Sequence, residues 1–141
     1  MTDGFDGRGN PVKEQPRTLQ KSKLRSFDTG ATRDSEEGKL DFEGFLSPLA
    51  LEAYARYMDR HRKQTDGSLR DSDNWQAGMD KSVYLKSLWR HFFAAWKIHR
   101  GGRIVDERDG HDVTVQEALC GVLFNAFGYL HEMLKENSHG V

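Results

Sequence analysis

A single cysteine, Cys120, is all that this chain has, which excludes an internal disulfide and any Cys-rich zinc cluster. Its setting among Leu119, Val122 and Leu123 reads as an inert buried thiol, and one lone thiol fits a reducing cytoplasm. Charge of one sign is also missing. With 21 Lys and Arg against 22 Asp and Glu, the net charge is -1, so no general field recruits nucleic acid or an anionic membrane. No apolar run approaches the roughly 18 residues of a membrane span, and the N-terminus lacks the apolar core of a secretory signal. A cytoplasmic protein without a membrane partner is expected. No internal repeat, H-x-x-x-H pair, C-x-x-C pair or twelve-residue calcium loop occurs, which removes the familiar zinc and EF-hand signatures. Period-two alternation is absent too, since Arg103-Ile104-Val105 is too short to do more than cross a surface.

Apolar residues make up only 36% of the sequence, and their shortage is concentrated at one end. Residues 1–38 hold Gly4, Gly7, Gly9, Pro11, Pro16, Gly30 and Gly38 among mixed charges and cannot bury enough surface to offset the entropy of ordering. They are expected to form a disordered polar arm. Its basic run, Arg17, Lys21, Lys23 and Arg25, is followed by Asp28, Asp34, Glu36 and Glu37, the pattern of a solvated tail. Residues 39–136 then form the folding unit, with 137–141 as a tail.

Three helices follow from periodicity and end signals. Ser47 as N-cap with Pro48 at the first helical position opens one that runs to about Arg62, with Leu51, Tyr54, Ala55 and Met58 on one side. Asp80 caps the second, which stops at Gly101 beyond His99 and Arg100. Its broad apolar arc of Leu85, Leu88, Trp89, Phe92, Ala95 and Trp96 predicts a central core helix. Thr114 and Glu117 form the T-x-x-E capping box of the third. Val115, Leu119, Val122, Leu123, Ala126, Phe127 and Leu130 make its expected buried stripe. On its far side Phe124 lies beside Gly121 and Gly128, seven apart, where another helix can approach closely. The predicted fold is all-α, a small antiparallel helical bundle with one end covered by Leu40, Phe42, Phe45 and Leu46. A helix apolar on both sides also points to a homodimer. The polar connection 65–73, with Asp66-Gly67 as a turn, is either disordered or a flap.

Several polar residues stand out, each with an ordinary explanation beside the functional one. Glu52 and Asp59 are seven apart on one helix face, a spacing for two oxygen ligands to a hard cation, yet a Glu52–Arg56 pair also accounts for it. Arg90 is either a surface residue or a phosphate clamp beside a Trp-rich helix. His91, at the margin of the apolar arc, is a satisfied core histidine or a group held ready for proton transfer or phosphate contact. Asp106, Glu107, Asp109 and His111 crowd one turn, where a divalent cation or Arg103 and Arg108 would relieve their repulsion. Glu117 is most simply the capping acid. Asn125 lies among Val122, Leu123, Phe124 and Ala126, where a buried amide needs partners. Asn74-Trp75 falls in a loop, placing an indole either on a base or over the bundle as a lid.

The order of these segments resembles a known family. SPLALEAYARYM, NWQAGM, YLKSLWRH, GGRIVDERDG and ALCGVLFNAF resemble, in sequence, the segments of the phage and prophage dATP/dGTP diphosphohydrolase N-terminal domain family, an all-α domain grouped with MazG-like nucleotide pyrophosphohydrolases. The likeness covers residues 40–134. The chain departs from the family pattern where Arg103 follows Gly102, where Asp109 precedes Gly110, and where His111 is the only histidine near the start of the last helix.

The resemblance implies a hydrolase that splits a purine deoxynucleoside triphosphate into its monophosphate and pyrophosphate with Mg²⁺ or Mn²⁺. It assigns metal binding to Glu52, Asp106 and Asp109, catalysis to Arg90, His91 and Glu117, and substrate contact to Asn74, Trp75, Asn125 and His111. The alternative is a non-catalytic phage accessory domain that binds a protein or nucleic-acid partner through its Lys-rich arm.

Overall fold

Helix ends in this protein are set by local hydrogen bonds, and they come first because they position everything else. The computed structural model describes residues 24–138, and the chain separates into two units, Met1–Asp41 and Phe42–Val141. In the second unit a single turn, α1 (Phe42–Phe45), precedes α2 (Pro48–Arg60), α3 (Lys81–His99) and α4 (Val115–Ser138). Ser47, in extended backbone, accepts from the Ala50 N–H at 3.3 Å, and Pro48 starts α2 without an N–H to leave unpaired. Asp80 accepts from the Ser82 N–H at 2.8 Å to open α3. Gly101, at φ 84°, stops it in a conformation that favours glycine. At α4 the capping box is complete: the Glu117 N–H donates to the Thr114 hydroxyl at 3.1 Å, and the Thr114 N–H donates to the Glu117 carboxylate at 2.8 Å.

Packing is decided by small residues. α3 and α4 run antiparallel with His91 over Gly121 and Tyr84 over Gly128. A Cβ at Gly121 would lie 2.4 Å from His91 Nδ1, and one at Gly128 would lie 2.2 Å from Tyr84 Cε1. The two glycines therefore admit the imidazole and phenol rings against the α4 backbone. Ala118, Gly121 and Asn125 are buried along this seam, as are Tyr84 and Ala95 opposite. α2 lies antiparallel on another side of α4, where Tyr54 meets Phe127 edge-on at 5.7 Å and Arg60 approaches Glu117 at 3.9 Å.

This arrangement corrects three expectations. The central helix is α4, which packs against both α2 and α3. The broad arc of α3 faces out, with Trp89 63% and Trp96 54% exposed. The α4 stripe expected inside is largely outside, because Leu119, Leu123, Phe127 and Leu130 are all exposed while the glycine side is buried. Leu40, Phe42, Phe45 and Leu46, expected to cover one end of the bundle, are likewise exposed.

The chain is mostly helical but not purely so. Within the segment expected to be a disordered arm, β1 (Leu24–Ser26) pairs antiparallel with β2 (Thr32–Asp34). The Phe27 N–H donates to Ala31 O at 2.9 Å across the turn, and Arg25 pairs with Glu36 at 2.8 Å. These strands expose nearly all their side chains, so no apolar alternation announces them. Arg17, Lys21 and Lys23 of the basic run lie outside the described residues. The connection after α2 is ordered: Lys63 and Leu69 bridge, the Gln64 N–H donates to Ser68 O at 2.8 Å, and Asp66 accepts from the Ser68 N–H at 2.9 Å. Among the described residues no helix is long and apolar enough to cross a membrane.

Candidate functional site

Between α3 and α4 the backbone folds back on itself and gathers ionisable groups at the start of α4. Val105 bridges Asp112, the Asp106 N–H donates to His111 O at 2.9 Å, and the Gly110 N–H donates to Asp106 O at 2.7 Å. Asp106, Asp109 and His111 share the tip of this loop, each offering a ligand atom within 4.8 Å of the others. His111 Nδ1 lies 2.6 Å from Asp109 Oδ1, and its Nε2 lies 3.3 Å from Glu117 Oε1. Arg108 grips both oxygens of Asp106, at 3.0 Å from Nε and 2.5 Å from Nη2. The neighbouring hollow, about 460 Å³ and open to solvent, is lined by Arg60, His111, Asp112, Thr114, Gln116 and Glu117.

The electrostatics follow from these contacts. Hydrogen bonds from the Arg108 side chain and N–H hold Asp106 far below the usual carboxylate range. The His111 hydrogen bonds lower Asp109, and Asp109 in turn raises His111 above a free imidazole. Burial pushes Glu117 upward, but the Thr114 N–H and hydroxyl, with His111 and Arg60, outweigh it and leave it lowered. At neutral pH the hollow thus carries ionised carboxylates faced by cations. Deeper in, Tyr57 stacks on His61 at 4.1 Å, and burial raises the phenol. His91 is lowered, first by burial and then by the charges of Arg90, His61 and Arg108. Burial also raises the Cys120 thiol, as expected of an inert one.

The other candidate residues lie elsewhere. Glu52 pairs with Arg56 at 2.5 Å on an exposed face of α2 and does not belong to the Asp106–Asp109–His111 group. Asp59 pairs with Arg62 at 3.3 Å. Asn74 and Trp75 form a 3-10 turn (Asn74–Ala77) at the far end of α4, where Trp75 meets His131 edge-on at 4.9 Å. His131 follows Glu117 by fourteen residues, about 21 Å along a helix. Arg90 is exposed and donates to Ser87 Oγ at 2.7 Å. His91 is half-buried against Gly121. Asn125, 3% exposed, donates its amide to Gly121 O at 2.7 Å within its own helix. The aromatic ridge of α3 contributes no wall to the hollow.

Arg60 and Gln116 escaped the sequence reading, and Thr114 was read only as half of the capping box, although Arg60 lies at the end of a helix that points at that box. Only the antiparallel placement of α2 on α4 brings it there. A hard cation with ligands at about 2.0 to 2.6 Å sets neighbouring ligand atoms no more than about 5 Å apart, and Asp106, Asp109 and His111 each offer one within 4.8 Å of the others. The two carboxylates are donors that suit Mg²⁺ or Mn²⁺, whereas the imidazole is a softer donor than Mg²⁺ takes, and Arg108 already occupies both oxygens of Asp106. Comparison with known proteins finds no match, whether to a family model, a curated protein or a solved structure.

Proposed function

We propose that this chain is a divalent-cation-dependent hydrolase of a purine deoxynucleoside triphosphate, yielding the monophosphate and pyrophosphate. The observation that carries the reading is the convergence of Asp106, Asp109 and His111 at one loop tip, beside Glu117 and the hollow. Asp106 and Asp109 would hold Mg²⁺ or Mn²⁺ with His111 adjacent, and the bound cation supplies charge neutralisation and an activated water. Arg60 and Arg108 sit where phosphate oxygens need positive partners. Glu117, ionised and fixed by Thr114, accepts a proton or orients a water at the edge of the hollow. Arg90, Asn74 and Trp75 have no part in this version of the site, and Glu52 is left to its ion pair.

The test is pyrophosphate release from each nucleoside triphosphate with Mg²⁺ or Mn²⁺. Asp109→Asn is expected to lower turnover by about 100-fold or more, since it weakens the hold on the cation that would neutralise the phosphate chain. Absence of release with every triphosphate, together with no metal-dependent thermal shift, sinks the reading. A binding module is then the better description, and the exposed aromatic ridge of α3 is the observation that favours it.

A further inference from the structure

Charge is balanced over the whole chain but not along α3. From Lys81 to Val105 there are six Lys and Arg and no Asp or Glu. Lys81 pairs with Glu136 and Arg103 with Asp112. Among the described residues Lys86, Arg90, Lys97 and Arg100 enter no ion pair, Arg90 donating only to Ser87 Oγ, and all four are exposed. Tyr84 and His91, seated on Gly128 and Gly121, mark the side of α3 that meets α4. At 100° per residue Trp89 points away from that side, with Phe93 and Trp96 within about 40° of it, while Lys86, Lys97 and Arg90 follow at about 60° to 100°. α3 therefore turns two parallel rows to solvent, one of rings and one of cations. The other flank of the rings holds Phe92, His99 and Leu88, with no Lys or Arg. Trp89, Phe93 and Trp96 are 63%, 55% and 54% exposed. Trp89 meets Phe92 at 6.1 Å and Phe93 meets Trp96 at 6.0 Å, both edge-on, so no ring lies flat on another.

We propose that this outer side of α3 binds single-stranded DNA, with bases against Trp89, Phe93 and Trp96 and phosphates along Lys86, Arg90 and Lys97, Arg100 closing the end of the ring row. A ring offers its flat face to any base, and the neighbouring cations release counterions from the phosphates. The one-sided placement of charge chooses the occupant. A strand carries its phosphates along one side of its bases, whereas a helix lying in a membrane surface is held by cations along both edges of its apolar side. A duplex keeps its base faces stacked on one another and has none to give a ring without unstacking. Between Leu85 and Arg100 this side holds no neutral donor or acceptor for a ribose 2′-hydroxyl, the group by which RNA is told apart, so the strand is DNA. Lys86 and Arg100 are fourteen residues apart, about 21 Å along the helix, which suits a short site of about four nucleotides. The hollow beside Glu117 is lined by none of these residues, so strand binding is separate from triphosphate chemistry there.

The experiment is fluorescence anisotropy of a labelled oligothymidylate of about twelve nucleotides, titrated with the full chain in EDTA so that the candidate cation site takes no part. Binding is expected with a dissociation constant of about 1 to 100 µM at low salt, and log affinity should fall against log salt with a slope of about −3, at about 0.7 for each of four phosphate contacts. Trp89→Ala and Phe93→Ala should each weaken binding about tenfold with that slope kept. Lys86→Gln with Arg90→Gln should bring the slope to about −1.5, circular dichroism showing the helices retained. No binding at about 100 µM protein overturns the proposal, as does a duplex of the same length bound equally well or an oligouridylate bound about tenfold tighter. Unchanged binding by Trp89→Ala also overturns it and leaves the basic run before residue 24 as the site. Co-sedimentation with phosphatidylserine vesicles that Trp89→Ala abolishes, in place of DNA binding, assigns the ridge to a membrane and overturns it too. Should Trp89→Ala unfold, the Lys86→Gln and Arg90→Gln chain decides, and an unchanged salt slope refutes the proposal. None of these readouts depends on pyrophosphate release.

Discussion

The two sides of α4 differ in a way that apolar content alone does not rank. One presents Ala118, Gly121, Asn125 and Gly128 and is buried or nearly so; the other presents Leu119, Leu123, Phe127 and Leu130 and is exposed. Intramolecular packing took the side with less apolar surface, because two missing Cβ atoms let the Tyr84 and His91 rings reach the α4 backbone. Close approach multiplies dispersion contacts along the seam, and the large side chains of the opposite side stay exposed. A helix can thus hold its fold through its small residues while its large ones face solvent.

That contrast can be broken most severely from the inner side. Gly128→Leu drives a side chain into the Tyr84 ring and is expected to cost about 3 kcal/mol in urea unfolding; a loss below about 0.5 kcal/mol would mean that the seam is not tight. Thr114→Ala removes one acceptor of the capping box and should cost about 1 kcal/mol, with hydrogen exchange quickening in the first turn of α4. Leu123→Ser, on the outer side, should change the stability by about 0.5 kcal/mol or less. A large loss would place Leu123 inside the fold.

The smallest effect is a pH dependence with two opposed parts. His91 titrates below a free imidazole, so between its folded value and about 6.5 the unfolded chain binds more protons. Its contribution is therefore lost as pH falls through that window. His111 is raised by Asp109, so its contribution is present below about 6.5 and is lost as pH rises through its folded value. His91→Gln should flatten the acid side of the stability profile and leave the His111 side unchanged, as followed by denaturant midpoints and histidine proton shifts. An unaltered acid limb would show that the seam tolerates the imidazolium.

Part of the candidate site could be seen in the sequence. Asp106, Asp109 and His111 lie within six residues and fold into one turn, so their proximity is nearly local. Glu117 is three residues from its capping partner, and its place at the edge of the hollow follows from that box and the shortness of the preceding loop. Glu52 and Trp75 were harder to place, because which surface each one meets depends on how the helices pack. Seven-residue spacing in α2 says which residues share a face, but it does not say that the face meets solvent and an internal Arg56 pair instead of the loop. Trp75 carries no marker of which end of α4 it will reach. The β1–β2 hairpin was invisible for the opposite reason, being made of backbone bonds between side chains that stay in water.

By itself the sequence determined where α2, α3 and α4 begin, and it marked Gly121 and Gly128 as a place of close approach. Those signals act between residues a turn apart, or through the absence of a side chain, and need no distant partner to operate. Only the tertiary structure decided which apolar face turned inward, that α4 and not α3 is central, and which of the scattered acids share a hollow. Each of those outcomes depends on competition between surfaces far apart in the chain, and hydrophobic attraction, having no direction of its own, leaves shape to settle it.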